Sequence, residues 1–175
     1  MSEGIQIVGN SRFAEFLPGV ESGPDTAQAR IFEENRHRIY SFAFWMTDHE
    51  LEAERLRTRT FELAFQWASE PNEELIDQAF LCELRKMTPV GRLTLRFEVQ
   101  REIVSVRRNT RRVLLERAIV QLPATERLIF CMHDGEGYNH ARVARMLGIT
   151  EEESQTGLHA ARLRIRELLS DEMKF

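Results

Sequence analysis

A mostly α fold, built as two small helical modules joined by a basic linker, is what the sequence predicts, and three observations predict it. Apolar residues recur at three- and four-residue spacings through residues 27–87 and again through 115–170, the period of a helix that buries one face. Proline and glycine punctuate the chain within and between those stretches, at Pro71, Pro89, Gly91, Pro123, Gly137 and Gly148. Charge is uneven: residues 1–84 carry 7 basic and 16 acidic side chains (net −9), residues 85–117 carry 10 and 3 (net +7), and residues 118–175 carry 7 and 9 (net −2). The expected division is an arm over 1–26, a helical module over 27–87, a basic linker over 88–114 and a second helical module over 115–170. A basic middle between acidic ends fits either a polyanionic partner or charge complementarity within the chain.

Residues 1–26 hold Gly4, Gly9, Pro18, Gly19, Gly23 and Pro24 and few periodic apolar positions, which predicts a loose arm with one strand-like piece, IQIV at 5–8. From Ala27, Ile31, Phe32, Ile39, Phe42, Ala43 and Met46 mark a first helix that Thr47 and Asp48 break. Asp48 is expected to cap a second helix running to about Ser69, with Leu56, Leu63 and Trp67 on one side and Phe61, Ala64, Phe65 and Ala68 beside them. After Pro71, EELIDQAFLCELRKM predicts a third helix that buries Leu75, Ile76, Ala79, Phe80 and Leu84 and ends before Pro89 and Gly91. RLTLRFEVQ, 92–100, alternates Leu93, Leu95, Phe97 and Val99 with polar residues, the period of a short β segment; it needs a partner edge, from IQIV or from another copy of the chain. VRRNTRRVLLERAIVQL, 106–122, is helical again and sets Arg107, Arg108, Arg111 and Arg112 on adjoining faces.

Pro123 opens the last block, with helical stretches at about 124–133, 139–147 and 151–169. Val143, Ala144 and Leu147 face inward, Gly148 permits a left-handed turn, and Ile149 fills the angle between two short helices. Thr150 followed by Glu153 fits the capping box, and Glu151 and Glu152 add negative charge at the positive end of the helix dipole. With Ser154, Leu158, Ala161 and Ile165 as the buried stripe, the opposite face shows Glu152, Thr156, His159, Ala160 and Leu163, flanked by Glu153, Gln155 and Gly157.

Several function classes are excluded on residue grounds. No run approaches the roughly 18 apolar residues of a membrane span and the opening residues lack the pattern of a signal peptide, so no membrane partner and a cytoplasmic location are expected. Cys82 and Cys131 stand far apart without CxxC spacing and are expected as buried thiols. His133 and His140 flank an acidic turn with no third ligand in register, and DGEG lacks the alternating oxygens of a calcium loop, so neither metal nor cofactor is expected. Trp45 and Trp67 sit at helical spacing and are expected in the core. With no phosphate loop, nucleophile elbow or paired catalytic carboxylates, the chain is not expected to be an enzyme.

Residues 115–169 resemble region 4 of sigma-70-type transcription initiation factors of the extracytoplasmic-function group. The resemblance rests on Leu122 and Pro123, on Arg127 with Leu128, Ile129 and Phe130, on the turn Glu136-Gly137-Tyr138, on VARMLGI at 143–149 and on LHAARLRIRELL at 158–169. It implies a DNA-binding helix-turn-helix that recognises the minus-thirty-five promoter element, with Arg142, Arg145, Glu152, Gln155, Thr156, His159, Arg162 and Arg166 as DNA contacts. Arg107, Arg108, Arg111 and Arg112 would add phosphate contacts beside them, or pair with the acidic first third. Residues 32–68 resemble region 2 of the same family, in which a helix pair grips core RNA polymerase; Ala53, Glu54, Leu56, Thr60, Phe61, Ala64 and Phe65 keep its spacing, and Glu54, Arg55, Arg57, Thr58 and Phe61 are the implied polymerase contacts.

The chain departs from the family's pattern in several places. Arg55 stands where an acidic residue is usual, PNEELIDQAF replaces the aromatic and basic helix that reads the minus-ten element, and Gln155, Gly157 and Ala160 occupy positions that usually carry Lys or Arg. The implied partners are core RNA polymerase and promoter DNA. Those same departures sustain a rival expectation, a sigma-like interaction module that binds an anti-sigma factor or polymerase without reading promoters. A stand-alone dimeric helix-turn-helix regulator, paired through RLTLRFEVQ, is a third.

Overall fold

The computed structural model describes residues 27–91, 93 and 112–172, and among them it is all helical, with no strand. Seven α-helices follow in order: α1 Ala27–Thr47, α2 Glu50–Trp67, α3 Glu73–Met87, α4 Arg112–Val120, α5 Ala124–Phe130, α6 His140–Leu147 and α7 Glu151–Glu172. IQIV, most of RLTLRFEVQ and the arginines 107, 108 and 111 lie outside the described residues.

Helices α1, α2 and α3 form an N-terminal bundle, α2 lying against both of the others. Ile39, Phe42 and Ala43 of α1, Leu56 and Ala64 of α2, and Ile76, Ala79 and Phe80 of α3 are buried at its centre. Full burial of a side chain such as Phe42 or Phe80 is worth roughly 2 kcal/mol against leaving it in water. The Phe32 and Phe61 rings meet edge to face at 4.8 Å. Asn72 caps α3 by accepting from the N–H of Leu75 at 2.9 Å, while Glu73 and Glu74 in the first turn and Arg85 and Lys86 in the last complement the helix dipole.

Three expectations about the bundle are corrected. Asp48 does not cap α2. Its φ is 51°, a left-handed conformation that aspartate tolerates better than most residues, and its N–H bonds Phe44 O at 2.8 Å, so it ends α1; His49 precedes α2 and makes no side-chain cap. Trp67, expected in the core, is the last residue of α2, where the helix ends, and is 46% exposed. Cys82 is exposed on α3, because Phe80, Leu81 and Leu84 already fill the inward face.

Helices α4 to α7 form the C-terminal region, in which α7 lies against α4, α5 and α6. Pro123, with ψ of 150°, turns the chain between α4 and α5. After Phe130 the helix widens into a π turn at Cys131–Gly135, where the N–H of Glu136 reaches back to Cys131 O at 3.1 Å. Gly148 takes the left-handed conformation (φ 70°) that ends α6, and the capping box opens α7: Glu153 N–H donates to Thr150 Oγ1 at 3.0 Å and Thr150 N–H donates to Glu153 Oε2 at 2.8 Å.

The buried apolar residues of both halves form one continuous cluster. Helix α1 meets α4, α5 and the π turn, and α3 meets α6. Arg127 of α5 ties the halves and the α4 terminus together: it donates to Leu122 O (2.8 Å), to Val120 O and, across to α1, to Trp45 O (3.1 Å). Gly91 N–H donates to Thr125 Oγ1 at 3.1 Å, and Arg85 donates to Leu147 O at 3.0 Å.

Candidate nucleic-acid interface

The three glutamates that open α7 are exposed, and so are Gln155 and Thr156 one turn on. Their position follows from the cap: once Thr150 and Glu153 fix the start of the helix, Ser154, Leu158, Ala161 and Ile165 must point inward, where all four are buried. Past the first two turns the outer surface of α7 is narrower than its periodicity predicts. Gly157 and Ala160 are buried, not outward-facing; a β-carbon at Gly157 would stand 2.6 Å from Ile129 Cδ1 and 2.8 Å from Leu93 Cδ2. Small side chains there permit α5 to approach closely. His159 is half-buried, and Arg166 is exposed.

The arginines expected to meet phosphate are mostly occupied. Arg142, on α6, donates from Nη2 to Asp77 Oδ2 at 2.5 Å and stands 3.2 Å from Glu73 Oε1, both on α3. Its guanidinium also lies over the Tyr138 ring, 3.7 Å from the centroid. Asp77 is fully buried and carries a second arginine, Arg38 of α1, on Oδ1, while the Tyr138 hydroxyl donates to Oδ2 at 3.1 Å. Burial is the largest influence on Arg142 and opposes its charge, but the hydrogen bonds to Asp77 and Glu73 and the nearby Asp77 and Tyr138 oxygens together outweigh it and hold the guanidinium above its ordinary pKa. Burial, reinforced by the Asp77 carboxylate, pushes the Tyr138 phenol up, so it stays a donor. One turn along α6, Arg145 Nε lies 3.3 Å from Glu74 Oε1, both side chains about half exposed.

Arg162 is withdrawn in another way, by two bonds to Asp134 in the π turn at 2.9 and 2.7 Å, which leave its side chain 12% exposed. Burial alone would raise the Asp134 pKa; the bonds from Arg162 and His133 more than offset it and hold the carboxyl below its usual range. The π turn also brings together two histidines that sequence spacing keeps apart. The rings of His133 and His140 stack with centroids 4.5 Å apart, and His140 Nδ1 is 2.9 Å from the buried Ser154 Oγ. Burial, with His133 and Arg162 nearby, lowers the His140 pKa. Among the described residues no group of His, Cys, Asp and Glu is placed to hold a metal.

The expected polymerase contacts fall on α2. Arg55 is exposed and paired with Glu52 at 2.6 Å, Glu54 and Arg57 form an ion pair on the same helix, and Thr58 bonds Glu54 O at 2.9 Å. Phe61 is 3% exposed and packs on Phe32 and Phe65, so it serves the core and presents no contact surface. The outward stripe of α2 runs instead through Leu51, which is 64% exposed, Arg55 and Glu62.

The helix-turn-helix geometry of α6, Gly148 and α7, on top of α4 and α5, coincides with what a comparison of families finds: residues 112–165 match the family model described as Sigma-70, region 4. That stretch is a sigma region 4 domain. The match begins at the first residue of α4, ends within α7 and does not extend to the α1–α3 bundle. No curated protein matches the chain. Within the region 4 domain, sequence spacing located α6, α7 and their turn. It missed Asp77, Glu73 and Tyr138 as the clasp on Arg142; the net −9 of the first 84 residues was the one signal pointing to such a pairing.

Proposed function

We propose that the chain is a sigma-like transcription initiation factor of the extracytoplasmic-function type. Residues 27–87 bind core RNA polymerase, residues 88–114 are a basic linker, and residues 115–170 recognise the minus-thirty-five element of promoter DNA. The single observation that carries the reading is the exposed, box-capped first turn of α7 within the region 4 match, because the start of the second helix is the part of a helix-turn-helix that enters the major groove. Gln155 and Thr156 supply donors and acceptors for base edges, and Glu152 can accept from a cytosine amino group. Arg142, Arg145, Arg166 and the arginines at 107, 108, 111 and 112 supply phosphate contacts. His159 and Arg162 lie partly buried beside that surface.

On the polymerase side, the exposed stripe through Leu51 and Arg55 offers an apolar and a charged contact. Each contact alone is weak, and joining both on one chain raises the effective concentration of the second. No catalytic residue or cofactor is needed, and a cytoplasmic location follows from the partners. Transcription reconstituted from purified core polymerase tests the reading: a promoter-specific transcript is expected, and its absence with every genomic fragment, beside a working control factor, would reject it.

A second reading has an observation of its own. Three exposed glutamates stand at the entrance of α7 while Arg142 and Arg145 face carboxylates, which favours a protein partner of anti-sigma type over a duplex. Absence of DNA binding at low salt, together with retention of a protein partner, would favour this module over the promoter reader.

A further inference from the structure

The arginines that a DNA contact most needs are held by the chain's own third helix. Arg142 reaches Asp77 and Glu73, and Arg145 reaches Glu74. A phosphate makes the same demand on a guanidinium as these carboxylates do, so both compete for the same N–H donors. We propose that α3 is a built-in competitor of DNA: in the closed chain Glu73, Glu74 and Asp77 occupy the positions that phosphates take on Arg142 and Arg145, and α3 must release them before the region 4 domain binds. This deepens the promoter-reading proposal and rests on it.

Two features make the clasp releasable. Asp77 is fully buried, and an orphaned charge there would be costly, but Arg38 of the same bundle stays on its other oxygen when Arg142 leaves. Release therefore strands neither partner once a phosphate replaces Asp77 on Arg142. Second, the closed chain presents Glu151, Glu152 and Glu153 to an approaching duplex while its nearest cations are neutralised. Opening makes that face less negative by freeing two arginines, and it leaves the α7 cap untouched.

The test uses the full chain and labelled duplex DNA, with affinity measured across a range of salt. Replacing Asp77 endangers the fold, so the principal variant is Glu73→Gln with Glu74→Gln, two carboxylates that are about half exposed. Its affinity is expected to rise about tenfold at roughly 100 mM salt, with a log–log salt slope steeper by about one to two, since each added phosphate contact contributes roughly 0.9. Adding Arg142→Ala and Arg145→Ala should abolish the gain. The control is Glu34→Gln with Glu70→Gln, which removes the same charge from exposed sites elsewhere. Equal affinity and slope in the principal variant and the unaltered chain, or an equal gain in the control, overturns the competitor. If neither the unaltered chain nor the principal variant binds DNA at roughly 50 mM salt, promoter reading itself fails, and the competitor falls with it.

Discussion

Arg142 and Asp77 are 65 residues apart in sequence and 2.5 Å apart in space, and their bond joins the helix-turn-helix to the N-terminal bundle. Arg38 and the Tyr138 hydroxyl complete the set around the same carboxylate, so Asp77 serves α1, α6 and the turn before α6 at once. Breaking such a set by removing its centre leaves two guanidiniums facing each other in a largely buried site. Asp77→Ala is expected to lower stability by roughly 3 kcal/mol in chemical denaturation, within the range for removing one partner of a buried pair. Tyr138→Phe removes the bond that the hydroxyl donates to Asp77 and the one that it accepts from Arg38, and keeps the ring under Arg142, so about 2 kcal/mol is expected. A larger loss for Tyr138→Phe than for Asp77→Ala would contradict the central place given to the carboxylate.

Arg127 bonds three carbonyls, at Trp45, Val120 and Leu122. Lysine carries a point charge and cannot fork between them. Arg127→Lys is therefore expected to cost about 2 kcal/mol and Arg127→Ala about 3 kcal/mol, read as shifts of the urea midpoint at an unchanged slope.

Gly157 sets two effects against each other. Alanine gains about 1 kcal/mol in helix propensity over glycine. Its β-carbon, however, meets Ile129, a fully buried core residue, at 2.6 Å, and overpacking of this kind costs about 1 to 3 kcal/mol. Gly157→Ala is expected to be net destabilising by about 1 kcal/mol, and Gly157→Leu by about 3 kcal/mol. A stabilised Gly157→Ala protein would show that α5 and α7 are less tightly packed than described.

That glycine also marks where sequence reasoning stops. The start of α7, the Gly148 turn and the inward set of α6 were legible because each is a local rule: a cap, a left-handed residue, a period. Gly157 and Ala160 read as outward by the same period, and only their closeness to α5 reveals that small size, not exposure, is the requirement. Asp77 was invisible for a related reason. It sits in an ordinary acidic stretch, and its burial depends on Arg38 and Arg142, 39 and 65 positions away. Arg162 read as a phosphate ligand because its Asp134 partner is 28 residues distant, brought close by a π turn that no local pattern signals. Asp48 and Trp67 failed differently, each lying at a helix end where one residue of shift changes the role.

The two thiols are expected to behave unlike each other. Cys82 is exposed, whereas burial pushes the Cys131 thiol up to about 12, far from its reactive thiolate. Labelling with a thiol reagent at mildly alkaline pH should modify Cys82 quickly and Cys131 only at the rate of unfolding. Rapid reaction of Cys131 in a Cys82→Ser protein would contradict the packing of the π turn that follows α5.

Acid should weaken the C-terminal region in two steps. His140 has a folded pKa below its ordinary 6.5, so the unfolded chain binds the proton more readily; its contribution is complete above that value and is lost as pH falls below it. Asp134 has a folded pKa below its ordinary 3.8, so its contribution persists to lower pH and is lost as pH falls through the folded value. Denaturation midpoints of the unaltered chain and of His140→Asn between about pH 8 and pH 5 check the first step: the decline should be smaller in the variant, since that window brackets the ordinary histidine value of 6.5. An equal decline would remove His140 from the account.

The most direct test of the central claim places a photo-cross-linking residue at Gln155, on the exposed first turns of α7, and assembles the full chain with core polymerase on promoter DNA. Cross-links to bases of the upstream promoter element, competed by unlabelled promoter, are the expected result. Cross-links confined to protein, in complexes that demonstrably contain both polymerase and promoter, would contradict it.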